Sequence, residues 1–243
     1  MQRETPQVLF CLPYAGGGAS IFSGWQKKIG MAIEVRALQL PGREDQFLTQ
    51  PLDDMSRLVE HLLPTVLACD KPFAFFGHSF GALISYELCR RLAGLGIVPH
   101  ALIVSARRPP HESKGFCLHD LSDERLKARL RDFGGTPERV LENDALMQMI
   151  LPVLRADLRA AETYQPPESK PLACPIVACG ALDDPLAPAD DLHAWQRYTS
   201  ASFRMAAFTG GHFFLRAEQD SLMAVVREAL VGQAVSTHDM QPG

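Results

Sequence analysis

Six short runs of apolar, β-branched and aromatic residues recur along this chain, each bounded by turn residues: QVLFCLP (residues 7–13), IEVRALQLPG (33–42), PFAFFG (72–77), HALIVSA (100–106), CPIVACG (174–180) and SFRMAAFTGG (202–211). Helix-like stretches separate most of them. A strand, helix, strand, helix order has few solutions, and the expected one is an α/β fold: a mostly parallel sheet with helices on both faces. From residue 109 to residue 167 the strand signal disappears, and LSDERLKARLRDFG (121–134) and TPERVLENDALMQMILPVLRADLRAAETY (136–164) read as successive helices. Ser122-Asp123-Glu124 suits a helix start, as does Thr136 followed by Pro137. A helical insertion between two strand signals reads as a lid. The whole chain, residues 1–243, is therefore expected to be one domain with a lid at 109–167, and the tail STHDMQPG (236–243) is expected to fray.

The third run leads into a serine. Gly77-His78-Ser79-Phe80-Gly81 fits G-x-S-x-G, a pattern with chemical meaning where the serine sits on a sharp turn from strand into helix and its neighbours must be small. Both contexts are predicted here. PFAFFG stands behind, and ahead lies a segment in which Glu87, Arg90 and Arg91 mark one narrow wet stripe on an otherwise buried helix, stopped by Gly94 and Gly96.

An activated serine needs a base, and the base needs an orienting acid; on a sheet of this kind they follow in the order serine, acid, histidine. His212 lies in FTGGHFFL, directly after the last strand signal, with two glycines that let the backbone turn. His78 lies inside the turn itself, His100 enters a strand, and His111, His119, His193 and His238 fall on polar or flexible stretches. For the acid, CPIVACGALDDPLAP (174–188) ends a strand at Gly180 and presents Asp183 and Asp184 before Pro185. The spacing from the strand end favours Asp183, while DPLAP favours Asp184. Asp183 is the expected acid, its neighbour a turn-stabilising residue.

LPYAGGGAS (12–20) follows the first strand with three glycines. It lacks the G-K-[ST] ending of a phosphate-binding loop and the G-x-G-x-x-G spacing of a dinucleotide fingerprint. Its better reading is half of an oxyanion hole: one backbone N–H near Ala15 and one from Phe80, the residue after the serine.

Composition excludes several other classes. The net charge of −4 and the absence of any basic block beyond pairs such as Arg90-Arg91 give no field for nucleic acid. No apolar run is long enough to cross a membrane, and the first residues do not form a signal peptide, so a soluble, cytoplasmic protein is expected, monomeric and with no membrane partner. The six cysteines are scattered without metal-ligand spacing and read as small hydrophobes; neither a metal nor an organic cofactor is expected.

Four pieces together resemble one family: LPYAGGGAS, LQLPGRE (38–44), GHSFGA (77–82), and the pair LPVLRADLRAAETY (151–164) with GGHFFL (210–215). They look like the stand-alone type II thioesterases that accompany nonribosomal peptide and polyketide synthases, which are α/β-hydrolases. The resemblance spans nearly the whole chain. It implies Ser79 as nucleophile, His212 as base, Asp183 as acid, the Ala15 and Phe80 amides as oxyanion hole, and residues 109–167 as the family's lid. It also implies a partner, an acyl or peptidyl carrier domain bearing phosphopantetheine, and a task, the removal of stalled acyl groups in antibiotic or siderophore synthesis. Arg125, Lys127, Arg129 and Arg131 are candidates to meet an acidic carrier surface. Pro41-Gly42-Arg43, part of the resemblance, reads from its residues as an ordinary turn. Two other readings share the scaffold: a carboxylesterase or acyltransferase on free small molecules, and a binding module with a dead site.

Overall fold

The computed structural model describes residues 8–112 and 117–231, so the tail expected to fray lies outside the described residues. Among them each predicted run holds one strand: β1 Val8–Leu12, β2 Glu34–Ala37, β3 Phe73–His78, β4 Leu102–Ser105, β5 Ile176–Ala181 and β6 Phe203–Phe208. They form one sheet in the order β2-β1-β3-β4-β5-β6, with every neighbouring pair parallel. The helices are α1 Trp25–Ile29, α2 Met55–Leu67, α3 Phe80–Gly94, α4 Asp123–Phe133, α5 Glu138–Leu141, α6 Asp144–Thr163, α7 Ala189–Leu192, α8 Phe214–Ala217 and α9 Gln219–Val231. No helix of the described residues is long and apolar enough to cross a membrane.

Parallel strands need crossover helices, and covering both faces buries every strand residue of β1, β3, β4 and β5. The period-two alternation divides the core. Val8, Phe10, Leu12, Phe73 and Phe75 face α2 and α3, while Leu9, Cys11, Ala74 and Phe76 face Trp25 of α1 and Leu222, Met223 and Val226 of α9.

The strand order reverses direction between β1 and β3, because β2 lies on one side of β1 and all later strands on the other. In a parallel sheet that reversal opens a crevice beyond the carboxyl ends of the strands. The two loops that leave β1 and β3 are the Gly-rich one and the one carrying Ser79.

Between β4 and β5 the described residues form α4, α5 and α6 and no strand. These helices have a small core of their own, Leu126, Leu141, Met147, Leu151 and Leu154. Their charges pair within the segment: Lys127 with Asp144 (2.9 Å), Arg131 with Glu138, and Arg129 with Asp132 (3.6 Å). The basic row expected to face a partner is thus largely matched by neighbouring acids.

One expectation on α3 is corrected. Glu87 does not lie on a wet stripe; it is 3% exposed and its carboxylate accepts from Arg90 Nε (2.8 Å), Arg91 Nε (3.0 Å) and Tyr164 Oη (2.5 Å). Tyr164 follows α6, so the chain leaving that helix covers Glu87. Burial alone would raise the Glu87 pKa, but the two guanidiniums and the phenol outweigh it and hold it below the ordinary value. The stability this contributes is present above the unfolded glutamate pKa of about 4.3 and is lost as pH falls through the lower folded value. Glu87→Gln leaves two arginines short of their counter-charge. It should cost about 3 kcal/mol, a melting temperature lowered by about 6–12 °C at neutral pH, with a smaller difference between variant and wild type in acid; a thermal unfolding series against pH checks both.

Candidate active site

Ser79 stands between β3 and α3 with φ 54° and ψ −110°, a conformation that costs a non-glycine residue energy. Its flanking glycines explain how the strain is held. A Cβ on Gly77 would collide with the Gly81 backbone, and one on Gly81 with the carbonyl of Leu12 at the end of β1. Helix α3 therefore starts pressed against two strands, and the chain has only Ser79 in which to turn. The Ser79 N–H donates to Ser105 O (2.7 Å) at the end of β4, and the side chain is left facing the crevice.

His212 follows β6 and is 7% exposed. Its Nε2 lies 2.9 Å from Ser79 Oγ, and its Nδ1 lies 2.8 Å from Asp184 Oδ2. A carboxylate only accepts, so Nδ1 carries the proton and Nε2 is free to accept from the hydroxyl. The acid beside His212 is Asp184, not Asp183. The main chain continues to pair with the β6 side after β5 ends: Leu182 N–H donates to Phe208 O (3.0 Å) and Asp183 N–H to Gly210 O (3.0 Å). The chain turns at Leu182 and Asp183, where Asp184 N–H donates back to Ala181 O (3.4 Å); both turn side chains are exposed, and Asp184, only 2% exposed, points in. Asp184 also stabilises the turn, since Oδ1 accepts from Leu186 N–H (2.8 Å) and Ala187 N–H (3.2 Å). One residue combines the two roles that the sequence reading divided between two.

His78 is a partner the sequence reading passed over. It is fully buried, with Nε2 3.0 Å from the His212 carbonyl and Nδ1 2.8 Å from Ser105 Oγ. A carbonyl only accepts, so Nε2 donates and Nδ1 takes the hydroxyl proton of Ser105. Burial first, and then the neighbouring His212, push its pKa well below the ordinary histidine value, so this imidazole is neutral. It fixes the backbone of the residue whose side chain meets Ser79. The only signal for this in the sequence was its place inside the motif.

Ser79 and His212 open into a cavity of about 150 Å3 bounded by Ala15 and by Leu126, Leu130, Leu154 and Leu158 of α4 and α6. Phe80 is the first residue of α3, so its N–H has no intrahelical acceptor. At the rim Arg216 lies 5.8 Å from the ring centres of both Tyr14 and Phe213, and donates to Gly135 O (3.3 Å) just after α4. Arg43 is buried and is ion-paired with Asp157 of α6, whereas its residues had suggested only a turn.

One group among the described residues has metal-ligand chemistry that cysteine spacing did not signal: Cys117, His119 and Asp120, whose ligand atoms lie within 4.8 Å of one another. Cys117 Sγ donates to Asp120 Oδ2 (3.5 Å), His119 Nε2 is 3.4 Å from Asp120 Oδ1, and His119 Nδ1 is held by Glu162. These polar atoms satisfy one another.

A parallel sheet with its serine on a strained strand-to-helix turn, and a histidine and an aspartate arriving from later strand ends, is the arrangement of an α/β-hydrolase. The Thioesterase domain model matches residues 7–230, and the chain belongs to that family of thioester hydrolases. Among its relatives, the linear gramicidin dehydrogenase LgrE of Brevibacillus parabrevis is 41% identical over 236 residues, covering 95% of this chain and 90% of that one. Thioesterase PikA5 of Streptomyces venezuelae is 39% identical over 214 residues, covering 85% and 75%. The solved structure of the type II thioesterase BorB from the borrelidin biosynthetic cluster superposes with a TM-score of 0.86 at 40% identity, covering 94% of each chain.

The two aspartates make the geometry testable. Asp184→Asn should lower kcat on a thioester substrate roughly a thousand- to ten-thousand-fold by losing the acceptor that fixes the imidazole tautomer. Asp183→Asn should leave kcat within about twofold, as expected of an exposed surface change. Steady-state kinetics on the two variants side by side decide the register.

Proposed function

We propose that this thioesterase frees stalled or aberrant acyl groups from the phosphopantetheine arm of carrier domains in nonribosomal peptide or polyketide synthesis, with Ser79, His212 and Asp184 as its catalytic residues. The observation that carries the reading is the continuous relay from Asp184 Oδ2 through His212 to Ser79 Oγ at the mouth of an apolar cavity. Likeness to BorB over 94% of each chain, and to PikA5 over 85% of this chain and 75% of that one, supports the synthase setting. The word dehydrogenase in the name of LgrE does not transfer, because Gly16-Gly17-Gly18 lacks the spacing of a dinucleotide fingerprint.

The chemistry follows from the geometry. His212 Nε2 accepts the Ser79 proton as Oγ attacks the thioester carbonyl, and the carbonyl electrons move onto oxygen. The amides of Ala15 and Phe80 receive that oxyanion, each donor lowering the barrier by about 3 kcal/mol. The carbonyl reforms, the C–S bond breaks, and the pantetheine sulfur leaves with the proton from His212. A thiol with a pKa of about 8.5 departs more readily than an alcohol, so little acid assistance is required. Water, deprotonated by the same imidazole, then attacks the acyl-serine and releases the acid and Ser79. The apolar side chains of α4 and α6 hold the acyl chain while its sulfur end faces the rim.

Ser79→Ala should abolish release of acyl groups from a loaded carrier domain with the fold intact, read by mass spectrometry of the freed phosphopantetheine thiol and by circular dichroism. Equal wild-type turnover of a p-nitrophenyl ester and of the acyl carrier would favour a general esterase, and no turnover of either a binding module. Leu158→Trp narrows the cavity. It should lower kcat/KM for an octanoyl thioester by roughly tenfold or more while sparing the acetyl thioester, because lost room in an apolar pocket is felt per methylene.

A further inference from the structure

We propose that the buried Arg43–Asp157 pair is a positioning device that aims the Ala15 amide, so that the oxyanion hole is complete only while helix α6 is seated against the loop after β1. The proposal rests on the reading of Ser79 as nucleophile and Ala15 as oxyanion donor.

Two peptide planes flank Ala15, and both are fixed from outside. The Tyr14 carbonyl accepts from Gly17 N–H (2.9 Å). Because a trans peptide points its C=O and N–H in opposite directions, that bond orients the Ala15 N–H of the same plane away from the turn. The following plane carries the Gly16 N–H, which donates to Asp157 Oδ2 (2.7 Å). Arg43 closes the arrangement: Nη1 donates to Asp157 Oδ2 (2.5 Å) and Gly17 O (3.1 Å), Nη2 to Asp157 Oδ1 (2.8 Å), and Nε to Pro41 O (3.1 Å). Gly16 has φ +75°, and a Cβ there would sit 3.3 Å from Leu154 Cδ1, so the loop lies backbone-first against α6. Asp157 is 0% exposed and Arg43 7%.

A forked guanidinium–carboxylate pair taken out of water contributes little net stability, but it fixes direction strictly. Here the direction it fixes is that of the loop that supplies the oxyanion amide. Asp157 lies within a turn of Leu154 and Leu158, which face the acyl cavity. Chain recognition and oxyanion geometry are therefore carried by one helix: an acyl group packed on those leucines holds Asp157, and with it the Gly16 amide, in place.

The test uses the full-length protein with Asp157→Asn and Arg43→Lys, an acyl-pantetheine thioester, and two inhibitors of the same chain length. One is a trifluoromethyl ketone, which adds Ser79 to give a hemiketal oxyanion; the other is a thioether without the carbonyl. A misaimed donor should cost less than a deleted one, whose loss costs about 100- to 1,000-fold. The expected result is a kcat roughly 10- to 100-fold lower with KM within about twofold, a matching loss of affinity for the ketone, and an unchanged affinity for the thioether. If Asp157→Asn fails to fold, Arg43→Lys, which keeps the charge but loses the fork, should show the same split at smaller size. Equal weakening of ketone and thioether, or an unchanged kcat, overturns the proposal. Ser79→Ala separates the underlying reading: if that variant binds the ketone as tightly as the wild type, the serine assignment fails whatever the pair does.

Discussion

Backbone pressed on backbone is the constraint from which the site grows. Helix α3 begins where β3 stops, with Gly77 against the Gly81 backbone and Gly81 against the end of β1. No side chain fits between them. The direction change therefore falls on Ser79, whose backbone adopts a conformation it would not choose, and the surrounding hydrogen bonds keep it there. Everything else in the crevice is arranged around this fixed point: the loop after β1 crosses one side, His212 approaches from the other, and the strand order opens the space between them.

The fold was legible because it rests on local signals. Each of the six apolar runs became a strand, and glycine, serine and histidine at strand ends marked the crevice before any contact was known. The aspartate beside His212 differs from the one expected because register is decided by pairing at a distance. The strand runs one residue past Gly180, to Ala181, and the turn itself is made by Leu182 and Asp183, whose amides bond across to the β6 side. That shift moves the inward position to Asp184.

The other differences share this origin. Glu87, Arg90 and Arg91 have the spacing of a wet helix face, and no local pattern announces that Tyr164, 77 positions later, will cover Glu87. Arg43 looks like the end of a turn until Asp157, 114 positions away, takes its fork. Charged side chains that appear misplaced by local rules mark where the segment between β4 and β5 lies on the sheet domain. Such residues are poor evidence for solvent and good evidence for a seam.

His78 has a consequence for the charge that surrounds His212. Two imidazoles stand side by side, their ring centres 5.6 Å apart, and of the two it is His212 that meets the Ser79 hydroxyl. A charged His78 would place a positive charge beside His212, and would turn a donor toward the Ser105 hydroxyl in place of the acceptor now there. Burial removes that possibility across the physiological range. The variable position inside the G-x-S-x-G motif thus acts as a silent neighbour. It lends the site rigidity and brings no positive charge of its own beside His212.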